Sequence, residues 1–383
     1  MLMRNSLSLA ICAFVSTSAP MMAANKDAPK EASKDAPKAA SKNALKAASK
    51  TALLSVAATS KKQWTGVAVA KDRRVFVNYP RWSDNVPVSV AQLLKDSSTL
   101  AYPDKNWNEW KGLRPGDHFV CVQAVFADKD NGLWIVDSAA PKFQGPVENG
   151  PKLLKIDLKT NKVDRVFRFD EAIAPKGSYL NDVRIDSKRK KAYLTDSGLG
   201  AIIVLDVASG KATRRLANHP STKAEDILIT INGKPFSKDA NGKSRKINSD
   251  GIALDPAQEY LYYQALTART LYRVPVKDLV NEKLAEDDLG KKVELVTKSC
   301  VADGIEFGSD GNLYLTSLED NAIKRWSPSK KGELEVVAKD SLLVWPDSLA
   351  NASDGSMFVT SSQINLGTAP SLPYRLFKFK LKN

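Results

Sequence analysis

Residues 302–317, ADGIEFGSDGNLYLTS, have the pattern of a β-hairpin. A short apolar run follows the Asp303–Gly304 pair, then come a Ser-Asp-Gly turn and a second strand rich in aromatic and β-branched residues. Asp303 stands at the entrance of the first strand, where a carboxylate either caps a turn or faces a ligand. The number of such hairpins in the chain decides the fold.

The same pattern occurs six times along the 383 residues. The segments begin at Thr65, Gln123, Asn181, Asp250, Asp303 and Asp347. Each interval holds two further strand-like runs, so each repeat provides about four short strands, which is the content of one propeller blade. We therefore predict an all-β protein, a six-bladed β-propeller.

Two further segments fit this ring. The last repeat contains three clear strands, and an orphan strand-like run, TALLSVAAT at 51–59, precedes the first repeat. We predict that this run supplies the fourth strand of the last blade, which removes an open sheet edge. Residues 217–248 are predicted to be an insertion over one face between blades three and four, where long loops often shape a ligand entrance.

The N-terminal part differs in composition from the rest. Residues 1–24 have the layout of a signal peptide, and the later chain has no apolar run long enough to span a membrane. Residues 25–50, with Lys at every fourth position, are predicted to be a disordered linker that is solvated or touches an anionic surface. We predict a propeller over 51–383 and a secreted or periplasmic location.

Charge and cysteines narrow the class of protein. The net charge is +14, but residues 1–62 hold ten Lys and Arg against three Asp and Glu, so half of the excess lies there. We expect no nucleic-acid partner and a monomer. Cys121 and Cys300 fall in facing blades two and five, so we expect buried free thiols. His118 and His219 lie far apart and match no zinc-protease motif.

The repeats carry a family resemblance. The resemblance rests on GVAVAKDRRVFVNYPRW (66–82), GLWIVDS (132–138), NDVRID (181–186), LYYQALTARTLYRVP (261–275) and WPDSL (345–349). The chain resembles the Yellow/major royal jelly protein family in a bacterial-type exported version. The resemblance implies a secreted six-bladed propeller that binds small molecules in its central cavity. Some insect relatives are associated with dopachrome conversion or bind biogenic amines.

A more distant resemblance is to the SMP-30/gluconolactonase propellers. These enzymes hold a divalent cation on the axis with a Glu of the first blade and with Asn and Asp residues of later blades. DGIALDP and DGIEFGSDG place Asp250 and Asp303 at ligand positions, whereas Thr65 stands where the family has Glu. The resemblance thus implies a site for a divalent cation such as calcium, in which one of the family's ligands is missing.

In a propeller the entrances of the inner strands converge on the axis. The six residues that begin the repeats should then form a polar collar, a name used below for this set. Asp250, Asp303 and Asp347 lie on consecutive blades, and their repulsion raises their pKa values or calls for a cation. Trp345 and Trp64 would add an aromatic face for an amine. Glu306 and Arg184, three residues into their strands, would add a base or an anion contact.

Three hypotheses for function follow. The first is an exported propeller that binds a small aromatic or amine-like ligand in its axial cavity, with Gln123, Asn181, Asp250, Asp303, Glu306, Trp345 and Asp347 as ligand-binding residues. The second is an enzyme, either a lactone hydrolase whose divalent cation is held by Asp250 and Asp303 or a dopachrome-tautomerase-like protein. The third is a protein-interaction scaffold.

Overall fold

The computed structural model describes residues 52–381 except 237, 239–241, 243, 244, 331, 333 and 368. Its described strands form six four-stranded antiparallel sheets and one two-stranded hairpin. The six-bladed all-β architecture predicted from the repeats is confirmed. The predicted signal peptide, the predicted linker and residue 51 lie outside the described residues.

The first strand in the chain closes the ring. Strand β1 (Ser55–Ser60) pairs with β26 (Tyr374–Lys380), which completes the sixth blade together with β24 (Pro346–Asn351) and β25 (Ser356–Ser361). The predicted role of the orphan run before the first repeat is therefore confirmed. Joining the two ends of the propeller in one sheet covers the edge that β26 would otherwise expose.

The other five blades follow in chain order. Blade one contains β2 (Val67–Val69), β3 (Val75–Asn78), β4 (Val90–Leu93) and β5 (Thr99–Ala101). Blade two contains β6 (Val122–Ala127), β7 (Gly132–Asp137), β8 (Lys152–Asp157) and β9 (Lys162–Arg168). Blade three contains β10 (Leu180–Asp186), β11 (Lys191–Asp196), β12 (Ala201–Asp206) and β13 (Ala212–Arg215).

The insertion of residues 217–248 follows blade three and carries the hairpin β14 (Thr230–Ile231) and β15 (Lys234–Pro235). Blade four contains β16 (Ser249–Leu254), β17 (Tyr260–Ala265), β18 (Thr270–Pro275) and β19 (Glu294–Lys298). Blade five contains β20 (Ala302–Phe307), β21 (Leu313–Ser317), β22 (Ala322–Trp326) and β23 (Glu335–Lys339). The short helices are α1 (Lys105–Asn108), α2 (Val276–Leu279) and α3 (Glu286–Gly290).

The first strands of the blades contact one another in cyclic order, β2, β6, β10, β16, β20, β24 and back to β2. Apolar side chains fill each interface between neighbouring blades, so the core consists of six wedges rather than one centre. Burying a large aliphatic or aromatic side chain contributes about 1.5–3 kcal/mol. This packing fixes the inner strands and therefore positions the residues at their entrances.

Polar and sulfur groups within the blades are also buried. Cys121 and Cys300 are buried free thiols, as predicted, and burial raises the pKa of Cys121 to about 12 and that of Cys300 to about 11.

Lys152 and Asp137 form a fully buried ion pair of 2.7 Å in blade two. Three backbone N–H groups, those of Val120, Cys121 and Ala139, donate to the Asp137 carboxylate. These groups tie the blade to its loops.

Candidate functional site

The entrances of the inner strands border a large cavity. It has a volume of about 1750 Å³, and four collar residues line it: Gln123, Asn181, Asp250 and Asp303. All four are at least nine-tenths buried. We call these four residues the floor of the cavity.

Local backbone geometry sets the floor apart from the rest of each strand. The antiparallel register shifts at the collar residue of blades two to six, between Val122 and Ala124 in β6 and between Ala302 and Ile305 in β20, for example. Such an irregularity leaves a residue out of the regular pairing and changes the direction of its side chain. The alternation of a regular strand does not constrain the collar positions.

Asp303 is held by a neighbour from the start of the sixth blade. The indole N–H of Trp345 donates to Oδ2 of Asp303 at 2.6 Å, and the indole is fully buried. Trp345 has a φ of 52°, a left-handed conformation that is uncommon for a bulky residue and costs about 1–3 kcal/mol. The surrounding structure therefore maintains a strained backbone that aims this indole at the carboxylate.

Asp250 occupies the adjacent position on blade four. The side-chain amide of Asn181 donates to its Oδ2 at 2.9 Å. The two carboxyl groups also interact with each other, and this interaction raises the pKa of Asp250 and lowers that of Asp303. Asp303 is therefore the member of the pair that ionises first.

The pKa values of the acidic collar residues are all raised. Burial and then the charges of Asp303 and Asp347 place the pKa of Asp250 well above its usual range. Burial raises the pKa of Asp303 to about 6, although the Trp345 and Asp250 hydrogen bonds lower it. Burial and the Asp303 charge raise the pKa of Asp347. Because the pKa of Asp303 is about 6, Asp303 carries a negative charge at neutral pH.

Seven aromatic side chains contribute to the cavity wall. They are Tyr79, Trp82, Phe143, Tyr179, Phe236, Trp345 and Tyr374. Phe143 stacks between Trp82 and Tyr179, with ring centroids 5.1 and 5.5 Å apart. The Trp82 indole N–H donates to the Tyr179 hydroxyl, which donates to Oε1 of Gln123 at 2.9 Å. The wall and the floor are therefore connected by hydrogen bonds, and most of the wall lies outside the repeats.

The other predicted collar members lie differently. Asp347 is buried beside Asp303 but does not line the cavity, and its Oδ2 has no hydrogen-bond partner among the described residues. The Thr65 hydroxyl donates to the backbone carbonyl of Gln123 at 3.0 Å instead of facing the cavity. Trp64 is buried in the core between blades six and one, so only Trp345 supplies the aromatic face expected of the pair.

Glu306 and Arg184 form a second charged cluster, about 10 Å further along the inner strands. The Arg184 guanidinium contacts Glu306 Oε2 and Asp182 Oδ2 at 3.0 Å each and lies 5.1 Å from the Phe126 ring centroid. Burial raises the pKa of Glu306 to about 7, although Arg184 lowers it. Neither residue lines the cavity. The geometry therefore does not support the predicted contact between these residues and a ligand in the cavity.

Asp182 was not singled out from the sequence. Its charge acts on Asp250, Asp303 and Asp347, raising the pKa of each. The repeats contain a signal that could have identified Asp182, because the residue after the collar position is Gly, Ala or Ser in the other five blades. A carboxylate in a position otherwise held by small residues marks blade three as different.

The donor set does not fit a lactonase-type metal centre. The described residues contain no group of three or more His, Cys, Asp and Glu side chains placed to hold a metal ion. Thr65 brings no carboxylate, and its hydroxyl is bound to backbone. Indole and amide N–H groups already donate to Asp303 and Asp250. The two carboxylates of the floor are thus bound by N–H donors and are not arranged as a set of metal ligands.

The fold and the site together define a class of protein: a six-bladed propeller whose central cavity has a buried acidic floor and aromatic side chains in its wall. The chain belongs to the major royal jelly protein family, whose sequence model matches residues 120–382. It is 22% identical over 284 residues to major royal jelly protein 6 of Apis mellifera, covering 67% of this chain and 60% of that protein. It is 22% identical over 332 residues to protein yellow of Drosophila madeirensis, covering 80% and 57%. The chain spans about 60% of the length of these two relatives.

Solved structures share the fold at low identity. A luciferin-regenerating enzyme superposes with a TM-score of 0.54 at 10% identity, covering 86% of this chain and 95% of that one. A gluconolactonase from Xanthomonas campestris superposes with a TM-score of 0.52 at 12% identity, covering 86% and 90%. Likeness at this level concerns the fold alone. In the described part of the chain, no helix is long and apolar enough to cross a membrane.

Proposed function

We propose that this propeller binds a small organic amine with an aromatic or apolar body in its axial cavity. The observation that supports this most directly is Asp303, a carboxylate in the floor of a cavity whose wall carries seven aromatic side chains. An ammonium group would offset the cost of an ionised carboxylate at this buried position. The aromatic wall would contact the body of the ligand and attract its cationic end.

The hydrogen bonds within the floor determine which of its polar groups can contact a ligand. Asp303 accepts the Trp345 N–H through Oδ2, and an ionised carboxylate has further lone pairs with which it can accept hydrogen bonds from an ammonium group. The Tyr179 hydroxyl occupies Gln123 Oε1 and leaves the amide N–H₂ of Gln123 as a donor at the floor. The site thus offers one anionic acceptor and one neutral donor, which can bind a ligand without changing it chemically.

Calorimetry with matched ligands tests the proposal. Benzylamine and 2-phenylethylamine should bind at pH 7.5, whereas benzyl alcohol, which lacks the charge, should not. Asp303→Asn should weaken amine binding at least about tenfold, because a charge-assisted hydrogen bond is lost. Asp287→Asn, which removes an exposed carboxylate that does not line the cavity, is the matched control and should keep the affinity.

The pH dependence gives a second readout. Amine affinity should rise as pH increases through about 6, where Asp303 ionises, and this rise should be absent in Asp303→Asn. Equal binding of the amines and of benzyl alcohol, or the same amine affinity in Asp303→Asn and the wild-type protein, would contradict the proposal. Such a result would favour an uncharged ligand in the same cavity.

Location is a separate proposal. Residues 1–24 would direct export and residues 25–50 would serve as a linker ahead of the propeller. Mass spectrometry of the N-terminus of protein recovered from the medium or periplasm tests both. A mature chain that begins near residue 25 supports the proposal, and full-length protein retained in the cytoplasm contradicts it.

A further inference from the structure

The insertion between blades three and four forms part of the cavity wall. Its apolar residues pack with Leu266, Val301, Leu318 and Trp345 at the ends of blades four to six. The backbone N–H of Thr230 also donates to Glu319 Oε1 at 3.0 Å, in blade five. The insertion is therefore held against the propeller at several points and presents a defined surface to the cavity.

Phe236 and Arg245 are the residues through which this surface approaches the floor. The Phe236 ring stands edge-on to the Trp345 indole, with centroids 4.7 Å apart. The Arg245 guanidinium lies 5.0 Å from the Phe236 ring centroid. Trp345 in turn donates to Asp303. A continuous series of contacts thus runs from an exposed cation at the mouth to the buried carboxylate at the floor.

The mouth carries charge of the opposite sign to the floor. Lys61, Lys62, Arg245 and Lys246 line the cavity, and all four are exposed. In the described part of the chain none of the four forms a salt bridge with a carboxylate. Of the carboxylates that line the cavity, Asp250 and Asp303 belong to the floor and Asp96 lies in the turn after β4. The cavity is therefore acidic within and predominantly basic at its entrance.

From this polarity we infer that the ligand is an elongated zwitterion, with its ammonium group at Asp303 and an anionic group at Arg245 and Lys246. The inference rests on the proposed amine-binding function and adds the second pole. A carboxylate at the distal end of the ligand would meet a guanidinium able to bind it with two hydrogen bonds. Phe236 and Trp345 would contact the body between the two charges.

Ligand pairs that differ only in the distal charge test this inference. We would compare 4-(aminomethyl)phenylacetate and the longer 3-[4-(aminomethyl)phenyl]propanoate with their methyl esters by calorimetry at low and moderate ionic strength. The measured quantity is the ratio of ester Kd to acid Kd. At least one acid should bind about three- to tenfold more tightly than its ester, and the ratio should fall with added salt.

Variants separate local recognition from the general positive field. Arg245→Gln/Lys246→Gln should bring the ratio to about one, and Arg245→Lys should keep part of it. Lys234→Gln/Lys238→Gln removes two charges from the same insertion but outside the cavity lining, so it should keep the ratio. An equal loss of the ratio in both double variants would overturn the inference.

The remaining outcomes separate this inference from the proposed function. If the esters bind in an Asp303-dependent way and neither acid binds more tightly, the zwitterion is wrong and amine binding stands. If neither the esters nor the simple amines bind, or Asp303→Asn changes nothing, the proposed function itself fails.

Discussion

The indole N–H of Trp345 and the carboxylate of Asp303 are joined by a buried hydrogen bond of 2.6 Å that links blade six to blade five. Asp303 faces the cavity, and Trp345 adopts a left-handed backbone conformation. The bond favours the ionised form of Asp303, whereas burial opposes it. The balance of these two effects makes Asp303 the residue through which the site can be tested.

Trp345→Phe should raise the pKa of Asp303 above about 6, because the donor that stabilises the carboxylate is removed. The midpoint of the pH dependence of amine binding should therefore move to higher pH, as measured by calorimetry between pH 5 and 8. Trp326→Phe, the same change at a buried Trp of blade five, is the control. An unmoved midpoint in Trp345→Phe would show that the hydrogen bond does not control the ionisation.

Asp303 should also make stability depend on pH. Its pKa is about 6 in the folded protein, against 3.8 for an ordinary Asp, so the folded state holds the proton more tightly than the unfolded state. Its contribution to the free energy of unfolding is fully present below pH about 4 and is lost as pH rises through about 6, on the order of 1–3 kcal/mol. Urea unfolding of wild-type protein and Asp303→Asn across this range measures the difference.

The comparison with Asp303→Asn is needed because Glu306, whose pKa is about 7, titrates in an overlapping window with the same sign. The variant keeps Glu306 and removes Asp303. Stability curves that run parallel between pH 4 and 7 would contradict the raised pKa of Asp303.

Arg184→Met should destabilise the protein by about 3–5 kcal/mol, because it leaves Asp182 and Glu306 without their shared cation in a buried site. The double variant Arg184→Met/Glu306→Gln should recover part of that loss, since one of the two unpaired acids becomes neutral. Urea unfolding at pH 8, where Glu306 is ionised, measures both. A loss below about 1 kcal/mol in the single variant would mean that the cluster is hydrated and weak.

Ring closure can be tested at two adjacent alanines of β1. Ala58 is buried in the interface between blades six and one, whereas Ala57 is exposed and falls at the register shift of β1. Ala58→Asp should lower the free energy of unfolding by about 1–3 kcal/mol through burial of an unpaired charge. Ala57→Asp, the same change beside it, should have an effect within about 0.5 kcal/mol. Equal effects at both positions would contradict closure by β1.

The sequence predicted the propeller because each blade is a local repeat of strand and turn signals, and such signals depend on near neighbours. It also predicted that Asp303 and Asp250 lie together at the entrances of the inner strands, since the collar position recurs at one place in the repeat. It missed Asp182, Tyr179 and Phe143. Asp182 departs from the small residues at its repeat position, and the two aromatic residues come from loops whose path no repeat constrains.

The sequence by itself determined the number of blades, the closing role of residues before the first repeat and the order of the acidic residues around the ring. Only the tertiary structure decided which of them share a cavity. Thr65 and Asp303 begin equivalent repeats, yet the Thr65 hydroxyl bonds to backbone and Asp303 lines the floor. Side-chain direction at a register shift, burial and charge coupling depend on residues distant in the chain, and no local pattern encodes them.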